Sequence, residues 1–158
     1  MVTKMTKKLL LLSTGGTIAS VVSDEGLAPG ESGEELIKML GRLEYDITVR
    51  DILELDSSNI QPEEWKIIAE SIYDHRNEYD GIVVSHGTDT MAYTASMLTF
   101  MLQHINIPVV LTGSQVPMNV ILSDAPDNLR LAFAAAANCE PGVYIAFNRK
   151  VMRGCRSV

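Results

Sequence analysis

Only two cysteines, Cys139 and Cys155, occur in the 158 residues, so no disulfide framework supports this chain and a reducing compartment is the simple expectation. Positive charge is scarce: 13 lysines and arginines face 20 aspartates and glutamates, a formal net charge of -7. That balance argues against a nucleic-acid partner, because binding a phosphate backbone needs clustered Lys and Arg. The basic residues gather near the ends (Lys4, Lys7 and Lys8, then Arg149, Lys150, Arg153 and Arg156) and read as solvated termini. No apolar stretch reaches transmembrane length. The lysine-then-leucine N-terminus fails as a signal peptide, since its apolar run is only Leu9 to Leu12 and Gly15-Gly16 follows closely. A cytoplasmic protein is expected. Also missing are the Gly-Lys-Ser/Thr of a phosphate loop, a full dinucleotide fingerprint and a Gly-x-Ser-x-Gly elbow. No His, Cys, Asp and Glu residues fall at metal-ligand spacing.

What is present is an ordinary globular composition, 46% hydrophobic and 21% charged, at a length that suits one domain. Strand and helix patterns alternate. Lys8 to Ser13 reads as a buried strand, and Val21 to Gly33, rich in Gly, Ser, Pro and acids, as a mobile loop. Glu34 to Leu43 reads as a helix, Ile47 to Leu55 as a strand interrupted by charges, and Asp56 to Asn59 as a polar turn. The helix opening at Pro62 has an apolar stripe of Trp65, Ile68, Ala69 and Ile72, with Glu63 and Glu64 at its positive dipole end. Ile82 to Ser85 and Val109 to Thr112 are short apolar strands. Thr90 to His104 is a helix apolar on most sides, which predicts burial against a sheet or at an interface, with methionines as core filler. Asp124 to Asn138 is an alanine-rich helix, and Val143 to Phe147 a fifth strand. Continuous apolar strands with intervening helices predict an α/β fold: a three-layer, open, mostly parallel sheet with helices on both faces.

Two turns carry the candidate chemistry. Ser13-Thr14-Gly15-Gly16-Thr17 follows the first strand, and Ser85-His86-Gly87-Thr88-Asp89-Thr90 ends the third. In a parallel sheet both lie at the carboxyl edge, where open α/β sheets bind ligands. Gly15 and Gly16 allow a tight backbone that presents N–H groups to an anion, while Thr17 offers a hydroxyl; a simple tight strand exit explains the same glycines. Thr88 sets a hydroxyl beside the Asp89 carboxylate, which a substrate ammonium would satisfy; capping of the next helix is the plainer role for Asp89. His86 is either a base for Thr88 or a structural histidine at the sheet edge. His75 and His104 lie at helix ends, and nothing near Cys155 supports a nucleophile there.

Taken together, Ser13-Thr14-Gly15-Gly16-Thr17-Ile18-Ala19-Ser20 and His86-Gly87-Thr88-Asp89-Thr90-Met91 resemble the two signatures of the bacterial-type L-asparaginase (asparaginase/glutaminase) family. The likeness extends through Asp56-Ser57, Thr112-Gly113-Ser114 and Asp124-Ala125-Pro126-Asp127-Asn128-Leu129, and its style is that of the cytoplasmic type I branch. The resemblance implies a flavodoxin-like or Rossmann-like N-terminal domain that hydrolyses L-asparagine to L-aspartate and ammonia. It makes Thr17 the nucleophile of an acyl-enzyme, Thr88 the second catalytic threonine and Asp89 the acid on the substrate α-ammonium. Asp56, Ser57, Gly16, Gly87 and Ser114 are the implied substrate-binding set, and the resemblance implies no metal or organic cofactor.

The sequence departs from the family in two places. Val21 to Gly33 lacks the family's loop tyrosine, and Leu27 stands near its place. The lysine that partners the second threonine would come directly after Val158. Residues 1–158 therefore resemble the catalytic N-terminal domain alone, expected to be weakly active or inactive without the smaller C-terminal domain and the homo-oligomer of the family. Two other readings stand beside it. One is the ammonia-releasing component of a glutamyl-tRNA amidotransferase, which shares these threonine motifs. The other is a non-catalytic amino-acid-binding or assembly module.

Overall fold

The computed structural model of the chain describes residues 5–157. A six-stranded sheet forms its centre: β1 (Lys8–Gly15), β4 (Asp46–Leu55), β5 (Gly81–Ser85), β6 (Pro108–Thr112), β7 (Gly142–Phe147) and β8 (Lys150–Arg153). The order is β4-β1-β5-β6-β7-β8. The first five are parallel, and β8 turns back antiparallel on β7. The parallel strands, taken in chain order, follow the flavodoxin-like 2-1-3-4-5 pattern, whose ligand crevice opens at the switch point beside the first strand. Here that point lies between β1 and β5.

Leu9, Leu10, Leu11 and Leu12 are all fully buried because β1 is an inner strand covered on both faces. Each contributes about 1.5–3 kcal/mol of burial, an upper figure set by an extended reference chain. Leu9 and Leu11 face one helix layer, α1 (Gly33–Leu40) and α4 (Ala125–Asn138); Leu10 and Leu12 face the other, α2 (Pro62–His75) and α3 (Met91–Met101). The expected three-layer arrangement is therefore observed. The charges that interrupt β4 also find their reason, since β4 pairs with β1 alone and exposes Thr48 and Arg50 as an edge strand.

Several expectations need correction. The stretch expected to be a mobile loop contains a hairpin, β2 (Ser20–Ser23) against β3 (Gly26–Pro29), in which Val21 pairs with Ala28 and Val22 with Leu27. Adjacent β-branched valines ahead of an Asp24-Glu25-Gly26 turn are hairpin material that the surrounding Gly, Ser and acids concealed. The hairpin's base is closed by the Ala19 carbonyl, which accepts from the N–H groups of Gly30 and Glu31. Helix α1 stops at Leu40, not Leu43, because Gly41 takes φ 76° as its cap. Its start is a capping box: Ser32 Oγ accepts from Glu35 N, and Ser32 N donates to Glu35 Oε2 at 2.7 Å. Helix α3 ends at Met101 and is buried on only one face; Tyr93 and Phe100 are about two-thirds exposed. The methionines are core filler only in part. Met91 and Met118 are buried, while Met39, Met97 and Met101 are exposed.

Candidate functional site

The carboxyl ends of β1 and β4, the hairpin base and the turn after β5 enclose a cleft of about 500 Å³. Gly16, Thr17, Asp56 and Asp89 line it, so residues far apart in sequence meet as the two-turn reading requires. Thr88 opens instead onto an adjoining cleft of about 550 Å³, alongside Gln115, Phe147 and Met152. Asp89 lines both and is the hinge between them.

The first turn leaves β1 through two residues in the left-handed region, Gly15 at φ 91° and Gly16 at φ 86°. A side chain at Gly16 is also excluded by space: its Cβ would sit 2.6 Å from the Gly87 backbone. The two turns thus touch backbone to backbone, and Gly87 in turn packs on Ser57 with no room for a Cβ. Side chains reinforce the junction. Thr14 Oγ1 donates to Ser85 O at 2.7 Å, and Thr90 Oγ1 donates to Ser57 O at 2.7 Å. After this bracing, Thr17 opens a short 3₁₀ turn, Thr17–Ala19, half-buried and with no hydrogen bond to its hydroxyl among the described residues. The hydroxyl of Thr88 is likewise unbonded among them.

The acids differ from each other. Asp56 caps the short turn Ser57–Asn59 by accepting from Ser58 N at 3.0 Å with one carboxylate oxygen, leaving the other free for the cleft. Asp89 is exposed and does not cap α3, whose N-cap is Thr90; its carboxylate makes no hydrogen bond or ion pair among the described residues. An uncommitted carboxylate beside two uncommitted hydroxyls can bind a ligand ammonium while a hydroxyl attacks an electrophilic carbon.

Three of the expected residues sit differently. Ser57 and Gly87 are buried beneath the cleft and support its wall. Ser114 is buried and donates its hydroxyl proton to Val116 O at 2.6 Å, so its side chain braces the loop after β6. His86 is also buried, in contact with neither cleft; its ring bonds Gly87 O and Thr94 Oγ1, and burial holds its pKa below the usual value. The sequence reading missed Ser20, Glu31, Glu35 and Asp51, which line the cleft floor and rim. Glu31 has its pKa raised, by partial burial first and by the neighbouring Glu35 carboxylate second. Only the alternation of β4 pointed to Asp51, and nothing in the sequence placed Glu31 across from it. Leu27 lines the cleft from β3. Among the described residues no group of three His, Cys, Asp or Glu side chains could hold a metal ion, and no helix is long and apolar enough to cross a membrane.

The chain as a whole has counterparts among known proteins. The family profile described as Asparaginase, N-terminal matches residues 8–158. The chain belongs to the asparaginase family. The L-asparaginase of Thermococcus kodakarensis is 49% identical over 152 residues, covering 94% of this chain and 46% of that protein. The solved structure of the thermostable L-asparaginase from Thermococcus kodakarensis superposes with a TM-score of 0.87 at 48% identity, covering 93% of this chain and 46% of that one. L-asparaginase 1 of Escherichia coli is 43% identical over 158 residues, 96% of this chain and 47% of the relative. A relative of another name also shares this sequence: one of the glutamyl-tRNA(Gln) amidotransferase subunits of Thermoplasma acidophilum is 40% identical over 87% of this chain but only 35% of its own length. The chain spans about half the length of these two L-asparaginases.

Proposed function

We propose that the protein carrying this chain is an amidohydrolase that converts L-asparagine to L-aspartate and ammonia. One observation carries the reading. Thr17 and Asp89, brought from the ends of β1 and β5, share a single cleft, each with an uncommitted polar group. Thr17 Oγ attacks the side-chain amide carbon; its proton passes to the departing nitrogen, which leaves as ammonia. Water then cleaves the ester so formed, releasing L-aspartate and restoring the hydroxyl. Thr88 assists deprotonation of the nucleophile or the water, Asp89 and Asp56 bind the α-ammonium, and the backbone of the Asp56-Ser57 turn, supported from below by the Ser57 side chain, meets the α-carboxylate. Glycine-supported N–H groups of the two turns stabilise the oxyanion.

The reading includes a C-terminal domain, a homo-oligomer and a cytoplasmic location, and it assigns low activity to residues 1–158 by themselves. It is supported by relatives about twice this length and by the unpaired Cys139 and Cys155. Ammonia release from L-asparagine, compared between the unaltered protein and Thr17→Ala, tests it. Release that persists in the variant sinks the nucleophile assignment, and no release from the unaltered full-length protein sinks the reaction. The relationship to a component of a glutamyl-tRNA(Gln) amidotransferase favours a second reading, ammonia release coupled to glutamyl-tRNA. The net charge of -7 gives tRNA binding no support, and stimulation of ammonia release by glutamyl-tRNA would decide for it.

A further inference from the structure

His86 lies two residues before Thr88 and lines neither cleft. Its backbone N–H donates to Thr112 O at 2.8 Å, extending the β5–β6 ladder past the last paired residues. Its ring is buried between β5 and α3. The tautomer follows from counting protons. Trp65 Nε1, a donor only, gives its proton to Thr94 Oγ1 at 2.8 Å. Gly87 O can only accept, so Nδ1 must be its donor, and the neutral ring leaves Nε2 bare to accept the Thr94 hydroxyl proton at 3.0 Å. The ring proton therefore resides on Nδ1 and is donated to Gly87 O at 2.6 Å. No carboxylate contributes to the ring's reduced proton affinity, which comes from burial and is opposed only by the Gly87 bond.

The Gly87–Thr88 peptide is trans, so fixing its carbonyl toward the ring directs the Thr88 N–H the opposite way. That N–H has no hydrogen-bond partner among the described residues. We propose that His86 is a positioning residue: held from α2 and α3 through Trp65 and Thr94, it fixes the Gly87–Thr88 peptide and thereby sets the Thr88 amide and hydroxyl at the cleft. It is not the base that deprotonates either threonine. A glycine at 87 needs such a clamp, because glycine alone lets that peptide rotate at little cost.

The inference rests on the amidohydrolase reading for its kinetic test only. In the protein carrying this chain, His86→Asn places an amide N–H close to the position of Nδ1 and keeps a donor for Gly87 O. His86→Gln reaches toward Thr94 and leaves that carbonyl without its donor. The Gln variant is expected to lose about tenfold or more in kcat with KM within about twofold, and the Asn variant to recover most of that loss. Equal losses in both, or none in either, overturn the proposal. Should a variant fail to fold, 1H–15N spectra of the unaltered protein decide. They should show protonated Nδ1 and bare Nε2 at about pH 7.5. A ring that carries its proton on Nε2, or protons on both nitrogens at that pH, overturns the proposal. An unaltered protein that releases no ammonia rejects the amidohydrolase reading, and the ring spectra then judge His86 alone.

Discussion

The two threonine turns look alike in sequence and are built in opposite ways. The turn after β1 is shaped by its own backbone: Gly15 and Gly16 adopt positive φ, and Thr17 emerges into the cleft with an uncommitted hydroxyl. The turn after β5 is shaped from outside. Ser85, His86 and Gly87 are buried, and a line of hydrogen bonds from Trp65 on α2 through Thr94 on α3 reaches its backbone. The lesson is that a reactive group can be aimed by local conformational freedom or by remote clamping. The second route makes α2 and α3 part of the site without touching it.

Removing the reactive group of the first turn gives the largest effect. Thr17→Ala should lower ammonia release from L-asparagine by a factor on the order of 10^4 or more. Its melting temperature should stay near that of the parent, since the hydroxyl bonds nothing among the described residues. A large drop in melting temperature would show that Thr17 is structural and spoil the contrast.

Next come the glycines where the turns meet. Gly87→Ala drives a methyl into Ser57 and should cost about 2–4 kcal/mol in denaturant unfolding. Gly16→Ala adds the left-handed φ penalty to its own contact with Gly87. Because the two positions touch, the double variant should lose less than the sum of the single losses. Strict additivity would mean that the turns do not share this contact.

The remote clamp predicts smaller effects. Trp65→Phe removes the indole donor and should cost about 1 kcal/mol, read by chemical denaturation. The pH dependence follows from His86, whose folded pKa lies below its ordinary 6.5. Above that value neither state binds the proton and the ring's contribution is complete. As pH falls through it, the unfolded chain takes up a proton that the folded ring refuses, so stability declines by up to about 1.4 kcal/mol per pH unit. His86→Asn should flatten that slope; an unchanged slope assigns it to another group. Smallest of all, Leu27→Ala on the exposed hairpin should change stability by about 0.5 kcal/mol or less and appear only in kinetics at the cleft.

Much of this was legible along the chain. The run Leu9 to Leu12, the stripe of Trp65, Ile68 and Ile72, and the turns ending in Thr17 and Thr88 announced their structure locally, because burial on both faces of a sheet and helical periodicity leave direct marks on neighbouring residues. The hairpin was hidden by its polar composition. The exposure of α3 was hidden because an apolar helix surface looks the same whether it is covered or bare. Ser114 shows the limit for the site: a hydroxyl at the right strand end turned out to brace its own loop, a choice made by the path of the chain beyond it.

By itself the sequence determined the α/β alternation, the carboxyl-edge location of the hydroxyl-bearing turns and the residue types available there. Only the tertiary structure decided that β1 and β5 are neighbours at the switch point, that Gly16 and Gly87 touch, and that Asp89 is left free while His86 is locked. Strand and turn preferences arise from residues close in the chain; the meeting of positions 16 and 87, or of 65, 94 and 86, depends on strand order and helix packing, which no local pattern encodes.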